Sequence, residues 1–205
     1  DMGGFTYMQF VVPGLIMMAI VTNSYSNVVS SFFGSKFNNS VEELLVSHTP
    51  NYVILLGYVL GGVTRGLAVA VIVTLVSLLF THLRIHSIVV VVAIVLMTAT
   101  LFALAGFINA VYANSFDDIS IVPTFVLTPL IYLGGVFYSL DLLPAFWAGV
   151  SRLNPLVYVV NAFRYGVLGV SDVSLPLAFG MIALFTTAAF LFSLHLLNSG
   201  KRLRQ

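Results

Sequence analysis

Charged positions in this chain are clustered, and long apolar stretches run between them. Residues 2–35, 66–83, 85–116, 119–140 and 173–200 contain no Asp, Glu, Lys or Arg. Each is about long enough to cross a hydrocarbon core ~30 Å thick, which takes ~20 mainly apolar residues as a helix. The β-branched runs show no two-residue alternation, and backbone in lipid must satisfy its own hydrogen bonds, so helices and not a barrel follow. The pattern predicts five spans, at 5–31, 65–83, 87–113, 119–138 and 176–198. The fourth holds Pro123, Pro129, Gly134 and Gly135 and is expected to be kinked.

Two connections carry further pattern. Residues 34–52 hold Lys36, Glu42, Glu43 and His48 and end near Pro50. Ser40 with Glu43 three residues on is a capping-box pattern, and Val41, Leu44 and Leu45 give an apolar side, so a short amphipathic helix at the membrane surface is expected. Residues 139–175 are too apolar for an ordinary loop. Pro144 opens a segment whose Phe146, Trp147, Val150 and Leu153 share a helical face. Asn154 as cap and Pro155 in the first turn start a second helix, with Gly169 as its stop after Leu168. At 1.5 Å per residue it spans only ~21 Å, so it dips into the bilayer or lies flat, and a pair of half-depth helices is expected.

Composition supports the same picture. Hydrophobic residues make up 60% of the 205 positions and charged residues 7%, against roughly 25% charged in a soluble domain. A net charge of +1 leaves no footprint for nucleic acid, and the absence of cysteine excludes disulfides and thiol chemistry. Lys201, Arg202 and Arg204 mark the C-terminus as cytoplasmic. Counting back, Lys36, Arg65 and the Asp117–Asp118 turn fall inside, and Arg84, Arg152 and Arg164 outside. The chain opens at Asp1 into an apolar run without a basic flank, which is not a signal peptide, so an upstream segment is expected.

Several motifs, in their order, resemble the permease subunits of ABC-2-type ABC transporters, most closely the YadH-like bacterial inner-membrane permeases. They are Phe10-Val-Val-Pro-Gly14, Glu42-Glu43-Leu44-Leu45-Val46, Phe116-Asp117-Asp118-Ile119-Ser120, Tyr132-Leu-Gly-Gly-Val-Phe-Tyr138 with Leu143-Pro144, and Leu153-Asn154-Pro155-Leu156 before Phe163-Arg164-Tyr165-Gly166. The resemblance covers essentially the whole chain, 1–205, as a single transmembrane domain. It implies an exporter permease of six spanning helices, five of them here. It also implies a cytoplasmic coupling helix, half-inserted outer helices before the last span, and alternating access in a dimer, with a homodimer expected. The partners implied are a separate ABC ATPase subunit, a second permease copy and the lipid bilayer. No cofactor is bound by this chain; ATP and Mg belong to the partner ATPase. The chain has no GxxxxGK[ST] phosphate-binding pattern of its own.

The candidate residues follow, each beside its plainer reading. Glu42, Glu43, Leu44, Leu45 and His48 form the ATPase-coupling candidate, against a plain interfacial loop. Asn23, Asn27, Ser30 and Ser31 make a polar stripe that lines a pathway or packs on another helix. Trp147, Asn154, Pro155 and Arg164 belong to the outer half-helices and gate. The aromatics there, with Tyr138, Phe146, Tyr158 and Tyr165, also suit an interfacial anchor. Arg65 is read as snorkelling to the inner surface at a helix start. Asp117 and Asp118 are read as a charged turn capping the fourth span. His82 and His86 are read as membrane-edge residues, and His195 as a hydrogen-bonded packing residue. Gly57, Gly61, Gly62 and Gly66 allow close helix contact, within the chain or in a dimer.

Two rivals stand apart. A stand-alone secondary transporter or channel would show ionisable residues at mid-membrane and usually a repeat. A membrane-embedded lipid-modifying enzyme would cluster His, Asp or Glu at a membrane edge. The scarcity of intramembrane charge favours an amphipathic or apolar cargo, such as a lipid, glycolipid or drug.

Overall fold

A computed structural model of the chain describes residues 5–38, 40–46, 48–81, 85–139, 144–151 and 153–200. They form α1 (Tyr7–Phe37), α2 (Ser40–Val46), α3 (Asn51–Leu78), α4 (Ile88–Tyr112), α5 (Phe116–Val122), a π-helical turn (Pro123–Leu127), α6 (Thr128–Tyr132), α7 (Ala145–Ser151), α8 (Pro155–Leu168) and α9 (Leu175–Ser199). The all-helical class is as expected. Among the described residues, four helices, α1, α3, α4 and α9, are long and apolar enough to cross a membrane.

Three of the expected spans have different bounds, and the first of them, expected at 5–31, runs on to Phe37. The second was placed at 65–83, but α3 begins at Asn51, directly after Pro50, and ends at Leu78. One cation does not end a helix whose backbone bonds are intact, and the apolar residues before Arg65 continue the same helix. Arg65 therefore sits midway along a 28-residue helix and not at its start. The snorkelling reading falls with that boundary. The fourth expected span, 119–138, is a broken helix over 116–132 followed by a turn. Gly135, at φ 75°, takes the left-handed conformation there.

The break in that helix has a local cause. Pro123 has no N–H to give the Ile119 carbonyl four residues back. Asn109 Nδ2 on α4 donates to it instead, at 3.4 Å. The widened turn that follows closes with both the backbone N–H and the hydroxyl of Thr128 donating to the Pro123 carbonyl, the hydroxyl at 2.9 Å. The start of α5 is conventional. Ser115 and Asp118 form a reciprocal capping box, as the charged-turn reading of this segment required.

The core is built around α1, which packs on α3, α4 and α8. Small residues set the spacing. A Cβ on Gly62 would lie 2.6 Å from Val28 Cγ2, and one on Gly106 would lie 2.5 Å from the Tyr25 carbonyl. Gly66 sits against the Ser24 hydroxyl. Gly57 and Gly61 lie on the exposed side of α3. The glycine motif thus splits: Gly62 and Gly66 pack closely inside the chain, Gly61 meets only Asn27 at its edge, and Gly57 has nothing within 4 Å.

The bundle is tied at one end by polar contacts. Lys36, expected among the surface charges of the inner connection, is only 5% exposed. Its Nζ donates to the carbonyls of Val111 and Ala113 at 3.0 and 2.8 Å, closing the C-terminus of α4 with a cation at the negative end of its dipole. Asn51 Nδ2 donates to Asn198 Oδ1 at 2.7 Å, joining the start of α3 to the end of α9. At the opposite end the Ser87 N–H donates to the Gly166 carbonyl at 2.9 Å, joining α4 to α8.

Two outcomes are expected. Gly106→Ala forces a methyl onto backbone that cannot rotate away and lowers stability by about 1–3 kcal/mol. Gly180→Ala, with nothing within 4 Å, is neutral or stabilising by up to ~1 kcal/mol. Thermal melts in detergent separate the pair. Lys36→Met leaves two carbonyls without their donor and destabilises by about 1–3 kcal/mol. An unchanged melting midpoint would show that water or lipid headgroups replace the ammonium.

Candidate functional site

Where the coupling helix is expected stands the short helix α2, at the end of the bundle where α1 stops and α3 begins. Val41 is buried and anchors it to the core, while Glu43 and His48 are exposed. Leu44 remains partly exposed, so the apolar side rests mainly on Val41. The Glu42 and Leu45 side chains lie outside the described part. The expected cap differs: Ser40 is already the first helical residue, and so is not the N-cap.

Toward the end of α1 that leads to α2, an aromatic cluster joins four helices. Phe32 packs edge-on to Tyr58 at 5.1 Å and against Phe107 at 4.4 Å between ring centroids. Phe33 meets Phe116 edge-on at 5.0 Å. The Tyr58 hydroxyl hydrogen-bonds the Ser35 hydroxyl at 2.9 Å. This aromatic cluster ties α1 to α3, α4 and α5. Beside it, Asp118 Oδ2 accepts from the N–H groups of Asn114 and Ser115 at 2.8 and 3.1 Å. The Asn114 bond above all, with those from Ser115, holds that carboxyl below the usual carboxylate range.

The polar stripe of α1 faces away from the core. Asn23 and Asn27 are half-buried, and Ser30 and Ser31 are exposed. Asn23 Nδ2 donates back to the Ala19 carbonyl at 2.9 Å. Asn27 Oδ1 lies 3.5 Å from where a Cβ would stand on Gly61. On the other flank, Ser26 and Ser30 line a groove of about 230 Å³ with Ser120, Pro123 and Thr124 of α5 and the π-helical turn. The stripe is thus a polar trough with α3 along one wall and the broken helix along the other. Ser26 lies among the polar residues 22–27 but off the stripe that Asn23, Asn27, Ser30 and Ser31 make, and Ser120 and Thr124 join it only because the fold brings α5 and the π-helical turn beside α1.

At the opposite end α8 runs Pro155–Leu168, bounded as its sequence signals foretold. Asn154 Oδ1 accepts from the Leu156 N–H, and Gly169 ends the helix at φ 79°. The helix does not lie flat on a surface. Nearly all of it is buried among α1, α4 and α9. Pro155 shares an apolar pocket with Leu101, Phe102 and Ala105, about halfway along α4. Asn154 Nδ2 also donates to the Leu130 carbonyl at 2.7 Å, fixing the base of α8 to α6.

Arg164 on α8 is 1% exposed. Its Nη2 donates to the Gly135 carbonyl at 2.8 Å, and its guanidinium sits over the Phe10 ring, 3.7 Å from the centroid. It ties together α1, the turn after α6, and α8. Its Nε and Nη1 have no hydrogen-bond partner among the described residues. Close by, Asp172 Oδ2 accepts from the Ser139 hydroxyl at 2.8 Å, and the Asp172 N–H donates to Asn161 Oδ1 at 3.0 Å.

Part of the aromatic set is exposed, as an interfacial anchor requires, and part is not. Phe146 and Trp147 on α7 are exposed and stack edge-on at 5.4 Å. Tyr158 is buried in the core instead. His86 lies against Tyr165, 5.4 Å between centroids; His82, Arg84 and Arg152 lie outside the described residues. His195 was expected to pack, but it is exposed on α9 with no hydrogen bond among the described residues.

Comparison with known proteins agrees with this layout. The family profile of the ABC-2 type transporter matches residues 2–168. The chain is 57% identical over 204 residues to the inner membrane transport permease YadH of Escherichia coli (strain K12), covering 100% of this chain and 80% of that one. It is 24% identical over 208 residues to nodulation protein J of Neorhizobium galegae, covering 100% and 78%. To nodulation protein J of Rhizobium leguminosarum bv. viciae it is 22% identical over 196 residues, covering 95% and 76%. A match across most of the chain, on the same helices that carry the α2 end, the polar trough and α8, identifies the chain as a member of the ABC-2 type transporter family.

Proposed function

We propose that this chain is the membrane-spanning permease subunit of an ATP-driven exporter in a bacterial inner membrane. A separate ATPase subunit powers it, and a pair of permeases works by alternating access. One observation carries this reading. The short helix α2 presents Glu43 outward, with His48 exposed beyond its end, is anchored by Val41, and lies between the two long helices α1 and α3 that flank the polar trough. Force applied there by a soluble partner reaches the walls of the trough through the Phe32, Tyr58 and Phe107 contacts.

In this reading residues 119–138 form a fifth span, and its π-helical turn is where the wall yields, since such turns concentrate at functional sites. The α7–α8 pair is half-inserted from the side opposite α2, which the halfway position of Pro155 supports. The C-terminus is cytoplasmic, on the α2 side. Arg164 holds the outer turn to α8 and so keeps that end shut at rest.

Arg65, midway along α3, is a feature a gradient-driven carrier would also show. A proton relay, however, needs titrating groups in series. The described part of α3 holds no His, Asp or Glu beside this Arg.

The test is co-purification of the full-length protein in detergent with candidate ATPase subunits. Wild type is expected to retain an ATPase, and the Glu42→Ala/Glu43→Ala pair to retain much less of it. A well-folded full-length protein that captures no ATPase overturns the proposal and directs attention to ion-gradient-driven flux in liposomes. Arg164→Met is expected to leave ATPase capture intact, because Arg164 lies at the other end. It should lower the melting midpoint through loss of the Gly135 bond and the Phe10 contact, about 1–3 kcal/mol. Loss of capture in Arg164→Met with unchanged stability would contradict the assigned division between the two ends.

A further inference from the structure

Arg65 stands midway along α3, exposed, with no ion-pair or hydrogen-bond partner among the described residues. It is one turn on from Gly61, on the same helix face. Gly61 faces Asn27, and Gly66 faces Ser24. The two helices run antiparallel in that register, so one turn along α3 from Gly61 corresponds to one turn back along α1 from Asn27. Arg65 is therefore level with Asn23, on the wall of the polar trough. The Asn27 amide likewise has no hydrogen-bond partner among the described residues. A guanidinium at this depth does not face lipid.

What neutralises it is narrowed by the sequence. None of the seven Asp and Glu residues lies in α1, α3, α4 or α9. A second copy of these 205 residues thus brings no carboxylate from its long helices to the depth of Arg65. It would instead bring a second cation.

We propose that Arg65, with the amides of Asn23 and Asn27, is a cargo-recognition site for the anionic headgroup of an amphiphile, a phosphate or carboxylate, whose apolar tail stays in contact with the bilayer. This deepens the permease reading and rests on it. The guanidinium offers a fork of N–H donors matched to phosphate or carboxylate oxygens. The Asn side chains add neutral donors along the trough. A free ion would gain the same bonds but no contact for a tail, which is what the apolar surroundings provide.

The test uses the full-length permease purified in a neutral detergent, with thermal unfolding followed during titration. The probes are dodecyl phosphate, octaethylene glycol dodecyl ether as a neutral headgroup on the same tail, and inorganic phosphate. Dodecyl phosphate is expected to raise the unfolding midpoint of wild type saturably. Arg65→Lys should keep the response, and Arg65→Gln should need at least about tenfold more probe, the loss that one charge-assisted hydrogen bond carries. Because Arg65 is exposed, Arg65→Gln removes no packed core contact and folding is preserved. The proposal is overturned if Arg65→Gln saturates with wild type, or if the neutral ether or inorganic phosphate matches dodecyl phosphate. It is also overturned if wild type is unresponsive while Arg65→Gln alone melts lower, the sign of a carboxylate beyond these residues already paired with Arg65. The ATPase capture assay reads separately: capture with no Arg65-dependent binding sinks only this inference. Arg65-dependent binding without capture sinks the ATPase reading and leaves an anion site in a different kind of transporter.

Discussion

In hydrocarbon an unpaired backbone carbonyl costs several kcal/mol, and every helix end or break creates some. Much of this bundle's polar chemistry answers that cost. Lys36 closes the end of α4, Asn109 takes up the Ile119 carbonyl released by Pro123, Asn154 reaches the Leu130 carbonyl, and Arg164 reaches that of Gly135. In each case a side chain from one helix donates to the backbone of another segment. The same bonds that satisfy the chain therefore also fix how its segments lie together. A helix can be broken, or stop in mid-bundle, only where such a donor is supplied.

That constraint separates two kinds of buried or embedded polar residue. Lys36 and Arg164 carry charge into the core, yet both are turned inward and occupied by carbonyls, Arg164 with the Phe10 ring as well. Arg65 and Asn27 answer no carbonyl within the described chain, and they lie on an open face. Structural cations and recognition cations look alike in a string of letters. Their difference is whether the fold supplies an acceptor.

Rigidity and yield are distributed accordingly. Around α1 the packing is close, with Gly62, Gly66 and Gly106 allowing backbones to approach to contact. Across the trough the opposite wall is the one helix that is broken, at Pro123–Leu127. In the proposed reading, α2 and α1 act as a lever beside a wall with a widened turn, and the trough is the space that opens between them. The turn is held by the backbone N–H and the hydroxyl of Thr128, both on the Pro123 carbonyl.

The sequence by itself determined whatever depends on neighbours a few residues apart. Apolar runs made the class all-helical. Asn154, Pro155 and Gly169 set both ends of α8, and Ser115 with Asp118 set the start of α5, because caps and stops act within one turn. Only tertiary structure decided the rest. It put Arg65 in mid-helix, since one charge leaves the backbone bonds of α3 intact. It turned Gly62 and Gly66 inward and Gly57 and Gly61 outward, a choice made by where α1 and α4 lie. It buried Lys36 and Tyr158, and sank α8 among three helices instead of leaving it flat. These depend on which distant segment supplies an acceptor or a surface, and local spacing carries no record of that.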